Sequence, residues 1–170
     1  MELSTREFWA VIHGFILGGG FLLAFTGGLA EFHSLRPARA TVVEFGERTK
    51  RLVAGTTAMA TIAWLTVITG TWIVYPWYRE DIPESPRSTL LADTSTDGWH
   101  TFGMEWKEHV AWIAPMLATA AAVIVLYYRK DLIKNDWARR LAMGLFVAAF
   151  LTAAVSGVLG ALITKKAPVV

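Results

Sequence analysis

The sequence predicts an all-α integral membrane protein, a bundle of four transmembrane helices arranged up-down-up-down. Two observations carry this. Of 170 residues, 54% are hydrophobic and only 18% charged, with a mean hydropathy of +0.42, against about 45–50% apolar and about 25% charged in an ordinary soluble domain. The excess is gathered into four blocks of the ~20 residues that cross a ~30 Å hydrocarbon layer. A lone apolar strand would leave its backbone groups unpaired in lipid, so each block is read as helix. The expected helices cover about 8–33, 52–77, 104–128 and 137–164, joined on one side by a long loop, 78–103, within a single membrane domain spanning 1–170.

The first helix comes after a nearly neutral N-terminal stretch and is longer than the apolar core of a leader, so it is read as retained. Gly14, Gly18, Gly19, Gly20, Gly27 and Gly28 punctuate it. The second ends among Tyr75, Trp77 and Tyr78. Pro76, Pro83 and Pro86 break helix early in the connection after it, leaving room for a short interfacial turn at 88–91. The third opens on a charged stretch and contains Pro115, which should kink it and release a carbonyl. The fourth runs to the pair Lys165 and Lys166.

Charge sets the expected orientation. The first connection carries Arg36, Arg39, Arg48, Lys50 and Arg51, and the third carries Arg129, Lys130, Lys134, Arg139 and Arg140. The second holds Arg79 and Arg87 against Glu80, Asp81, Glu84, Asp93, Asp97 and Glu105. The positive-inside rule places the two basic connections in the cytoplasm, and both termini and the long loop outside, in the cytoplasmic membrane of a prokaryote. Topology thus accounts for the basic residues, and no nucleic-acid partner is expected. With no cysteine in the chain, disulfides, thiolate metal sites, iron–sulfur clusters and covalent haem attachment are excluded.

The four histidines carry the functional expectation, because an ionisable side chain within a membrane helix marks function by default. His13 and His109 lie about five residues into helices expected to run in the same direction. Their imidazoles therefore share a depth, roughly 5–10 Å below the outer helix ends. Two such rings can clamp the iron of one haem b from opposite faces, a common way to build a cofactor site in a helical bundle. A porphyrin needs space. Leu17, Gly20, Ala24, Gly27 and Glu31 fall within about 40° of the His13 direction at ~100° per residue, and Gly70, Gly157 and Gly160 lie at a comparable depth on the other helices. Close helix packing is the competing role for these glycines.

His100, in the loop, is the reserve ligand. His33 points away from His13, so one haem is expected, and a second would need another inner histidine that helices two and four lack. Glu105, four residues before His109, is the expected partner of the ligand imidazole. Lys107, with Arg6 or Arg79, would neutralise haem propionates. Glu31 and His33 form a candidate proton or quinone site at the inner end, with pairing of Glu31 to Arg36 or Arg39 as the alternative.

Four short helices with histidines near one face resemble, in outline, the haem-b anchor subunits of respiratory dehydrogenases and the small membrane b-type cytochromes. The likeness covers the architecture of the whole chain, and its specific content is His13 and His109. It departs from the two-haem members, which need two ligand pairs. It implies an electron-transfer subunit rather than an enzyme by itself, exchanging single electrons with other membrane or extracytoplasmic redox subunits, a c-type cytochrome or quinone among them. The alternatives are a non-redox assembly subunit and a small transporter or proton-conducting protein using Glu31 and the histidines.

Overall fold

A computed structural model describes residues 2–35 and 42–168, with the backbone alone for 42–45. Among these residues the chain is 86% helix without strands, and four helices are long and apolar enough to cross a membrane. Helix α1 (Thr5–Ser34) begins ahead of its apolar block because Ser4 and Glu7 form a capping box. Ser4 Oγ accepts the Glu7 N–H at 3.2 Å, and Glu7 Oε2 accepts the Ser4 N–H at 2.8 Å. Helix α2 (Gly46–Tyr78) has helical backbone from Val42, so its first turns are polar, with Lys50 paired to Glu47 at 2.8 Å.

The connection expected over 78–103 is shorter, because α4 (Trp99–Ile133) starts within it. It holds a short helix, α3 (Pro86–Leu91), capped by Ser85, whose Oγ accepts the Ser88 N–H, with Pro86 in the first turn where no amide donor is missed. Pro115 breaks α4 as its missing N–H requires. The helix lapses into a turn at 111–112 and resumes at Ile113. Thr119 Oγ1 donates to the Pro115 carbonyl at 2.7 Å and accepts the Trp64 indole N–H at 3.0 Å. Asn135 caps α5 (Asp136–Lys166) by accepting the Ala138 N–H.

Helix α1 packs on α2, α2 on α4 and α4 on α5. Between α4 and α5 the seam is mostly alanine: Ala118, Ala121 and Ala122 with Val125 on one side, Ala138, Ala142 and Ala149 on the other, all buried. Small residues let the backbones approach where lipid offers no hydrophobic drive between helices. Helix α1 meets α5 through packed rings: Phe25 stacks on Phe150 at 3.9 Å between centroids and on Phe146 at 5.4 Å, and Phe32 meets Phe146 tilted at 5.5 Å. Large apolar side chains face outward all round, with Phe15 76%, Leu23 77%, Trp72 63% and Phe102 68% exposed. Such a surface is compatible with an integral membrane protein and would be a liability in water.

The bundle has two distinct ends. At one, Arg51 Nε donates to Glu31 Oε1 at 2.7 Å, tying the end of α1 to the start of α2 near Arg139 and Arg140, which pair with Asp136. We term this the basic end. The other lies under residues 79–98, where Tyr78, Leu90, Met104, Ile163 and Ala167 form a separate small core. This is the loop end.

Candidate functional site

Among the described residues, three helices loosen into π-helical turns at the loop end: Val11–Ile16 in α1, Gly70–Val74 in α2 and Trp99–Met104 in α4. Such turns are rare and concentrate at functional sites. Each carries or borders a residue singled out from the sequence: His13, Gly70 and His100.

His13 is half-buried against α2, with Nδ1 3.0 Å from Thr69 Oγ1. The tautomer follows from the bonds Thr69 makes. Its single hydroxyl proton is directed at the carbonyls of Leu65 (2.8 Å) and Thr66 (3.1 Å), so towards His13 it acts as acceptor. His13 therefore donates from Nδ1–H, and Nε2 carries the lone pair. Gly70 makes the ring's position possible: a Cβ there would stand 2.8 Å from His13 Cε1 and 3.5 Å from Nε2.

The start of α4 sorts its charges by helical position. Lys107 reaches α5, its Nζ 3.1 Å from where a Gly160 Cβ would stand, and its charge acts on both His13 and Glu108. Glu108 faces the Tyr75 hydroxyl of α2. With Lys107 and Glu108 turned towards α5 and α2, His109 falls at ~100° beyond Glu108 and is exposed. Its Nδ1–H donates to the Glu105 carbonyl at 2.7 Å, leaving the lone pair on Nε2. The imidazole's partner is thus the backbone oxygen of Glu105, whose carboxylate sits 3.5 Å from Arg79. His13 faces Thr69 of α2, and His109 is exposed on α4. Among the described residues, no group of three or more His, Cys, Asp or Glu could hold a metal ion.

The remaining expected site residues are spread along the bundle. His100 is buried, 6% exposed, with Nδ1 2.9 Å from the Tyr78 hydroxyl. Arg6 makes a forked pair with Glu80 at 2.7 and 2.9 Å and lies over Trp77. Gly20 packs against Ile62, its added Cβ meeting Cδ1 at 3.3 Å, so it serves helix contact. Gly157 meets nothing within 4 Å. Glu31 is committed to Arg51 and accepts the Ser34 hydroxyl, while His33 is exposed. The expected pairing partners Arg36 and Arg39 lie outside the described residues.

Sequence reading missed Thr69, Tyr78, Arg87 and Glu108. The signal for Thr69 was a hydroxyl residue beside a glycine at the depth of a membrane histidine, since hydroxyls commonly bond across membrane helices. Glu108 was visible as a carboxylate inside an apolar block but was absorbed into a charged helix start. No protein-family model matches the chain, and no curated protein or solved structure matches it.

Proposed function

We propose that this chain is a membrane b-type cytochrome subunit, an up-down-up-down bundle that holds one haem b at its loop end through His13 and passes single electrons. One observation carries the reading: a membrane-helix imidazole locked by Thr69 with its lone pair on Nε2, in space that Gly70 leaves. A neutral imidazole whose other nitrogen is hydrogen-bonded is what haem iron takes as an axial ligand. The haem supplies reversible one-electron chemistry.

The chain's own residues do the rest. Thr69 fixes the ring's rotation and tautomer. Lys107 brings a positive charge for a propionate, since Arg6 and Arg79 already face Glu80 and Glu105. His109, also bare at Nε2, is the assigned second ligand, and His100 is its reserve. The basic residues gathered opposite the site support a cytoplasmic basic end, with the loop end outside, where a c-type cytochrome or other redox subunit docks. Lipid surrounds the bundle, and a membrane partner or quinone completes the electron path. The commitment of Glu31 to Arg51 argues against proton or quinone chemistry at the basic end.

Purified protein expressed with adequate haem should show a Soret band and, on reduction, resolved α and β bands, with haem b in a pyridine haemochrome assay. His13→Ala should abolish them. Loss of the low-spin spectrum in His109→Ala or in His100→Ala assigns the second ligand. A colourless protein overturns the reading in favour of a non-redox assembly subunit. That alternative has its own support: Gly14, Gly18, Gly19 and Gly157 meet nothing within 4 Å, leaving small-residue faces on which partner helices can pack.

A further inference from the structure

The outward side of the loop end carries a groove to which the haem reading gives no role. Trp99, Phe102 and Gly103 of α4, Leu159 of α5, and Ser95 and Gly98 just before α4 line a volume of about 320 Å³. Gly103 lies in its floor, where an added Cβ would stand 3.7 Å from both Leu159 Cδ2 and Trp99 Cε3. Phe102 is largely exposed beside it. The volume is at the low end of the ~300–1,000 Å³ of ligand sites, room for one acyl chain and not for a whole lipid.

The groove ends at a pair of opposite charges. On α5, Leu159, Ile163 and Lys166 fall within ~60° of one another, and Lys166 stands ~10 Å above Leu159 along the axis. Lys166 is exposed, and its charge acts on Asp93. Asp93 in turn builds the rim. Its Oδ1 accepts the Ser95 N–H at 2.8 Å, and its carbonyl accepts the N–H groups of Thr96 and Asp97 at 2.9 and 3.0 Å. Thr96 Oγ1 donates to the Leu90 carbonyl at 2.9 Å, so the rim is held in shape by its own bonds. The two charges stop short of each other: among the described residues, no ion pair within 4.0 Å includes Lys166 or Asp93.

We propose that this groove seats one phosphatidylethanolamine molecule. One acyl chain lies along Trp99, Phe102 and Leu159, the phosphate accepts from the Lys166 ammonium, and the lipid's primary ammonium donates to the Asp93 carboxylate. Charge complementarity selects this occupant. A head group that is only anionic satisfies Lys166 but sets like charge against Asp93. A quaternary ammonium brings the right charge and no N–H to donate, and charge-assisted hydrogen bonds are the strong ones. Lys165 is exposed ~100° round the helix from Lys166, so a single lysine addresses the groove. Bound there, the lipid joins the loop to α5 across the gap that the two side chains leave open.

The full chain, stripped of lipid in detergent, is titrated with phosphatidylethanolamine, phosphatidylglycerol or phosphatidylcholine carrying identical acyl chains, and bound lipid is counted by native mass spectrometry. One phosphatidylethanolamine should be retained per chain, about three- to tenfold more tightly than either of the others. Lys166→Gln and Asp93→Asn should each remove that preference. Leu159→Trp, which fills the groove, should release all three lipids. Equal retention of the three, a preference for phosphatidylglycerol, or a preference that survives both rim variants overturns the proposal. So does lipid retained in Leu159→Trp, or an isoprenoid quinone displacing the phospholipid from the wild-type chain. If Leu159→Trp does not fold, the two exposed rim variants decide. Haem enters none of these measurements, so a colourless protein overturns the haem reading and leaves this result standing by itself.

Discussion

Among the described residues the π-helical turns fall at the loop end, in three of the helices, while the basic end is close-packed and carries a tighter 3-10 turn at Arg129–Ile133. The packing differs in kind as well. Below Phe21, α1 and α5 are held by ring stacks, and a Cβ on Gly28 would drive into Phe146 Cζ at 2.6 Å. Above it, the His13 end of α1 leans on α2 through an imidazole–hydroxyl bond, and α4 reaches α5 through a lysine laid on Gly160. The aromatic end gains dispersion contacts over large rings and tolerates little change. The polar end gives up regular backbone geometry, a departure that persists only where side chains repay it. The lesson is that one bundle can hold a rigid anchor and an adjustable site a few turns apart.

The sharpest way to break the comparison is Phe146→Ala. Removing a fully buried ring that touches Phe25 and Phe32 should cost about 3–5 kcal/mol, read as a lowered unfolding midpoint in detergent micelles. Equal loss from an outward-facing loop-end residue such as Phe102→Ala would erase the distinction. Next comes a matched pair of glycines. Gly28→Ala should destabilise by about 1–3 kcal/mol through overpacking on Phe146, whereas Gly157→Ala, with open space, should stay within about 0.5 kcal/mol. Comparable effects would mean the glycines pack alike at both ends.

Thr69→Val keeps the shape and removes the acceptor for His13 Nδ1–H. Stability should fall by only about 0.6 kcal/mol, the average for such bonds between membrane helices, but haem affinity should drop about 10–100-fold, as for partners of metal-bound imidazoles. Binding titrations with haem would check it, and unchanged affinity would remove Thr69 from the site. The smallest effect concerns the loop. The Ser95 backbone N–H, donating to Asp93 Oδ1 at 2.8 Å, holds the Asp93 carboxyl below its ordinary value of 3.8. A lowered value means stabilisation present above pH 3.8 and lost as pH falls below it. Amide exchange at 93–97 should therefore quicken, relative to the helices, only in that acid range.

Much of the architecture was legible because its cause is local. Chain segments of membrane length and apolar composition leave helix as their way to satisfy the backbone, and Pro115 lacks a donor wherever it sits. Helix ends were less legible. Ser4 and Glu7 extended α1, and polar turns extended α2, beyond their apolar blocks. The site was legible as residue types at a depth, since His13, Gly70, Lys107 and His100 all lie at the loop end. Their facing was not.

Composition and period alone determined that four apolar helices exist and that histidines stand near one end of them. Only tertiary structure decided which neighbour each charged side chain met. Lys107, Glu108 and His109 are consecutive enough that a rotation of ~100° about α4 exchanges their surroundings. That rotation is set by the alanine seam against α5 and the Trp64–Thr119 contact with α2, far along the chain. It turned His109 outward and brought Lys107 and Glu108 towards α5 and α2.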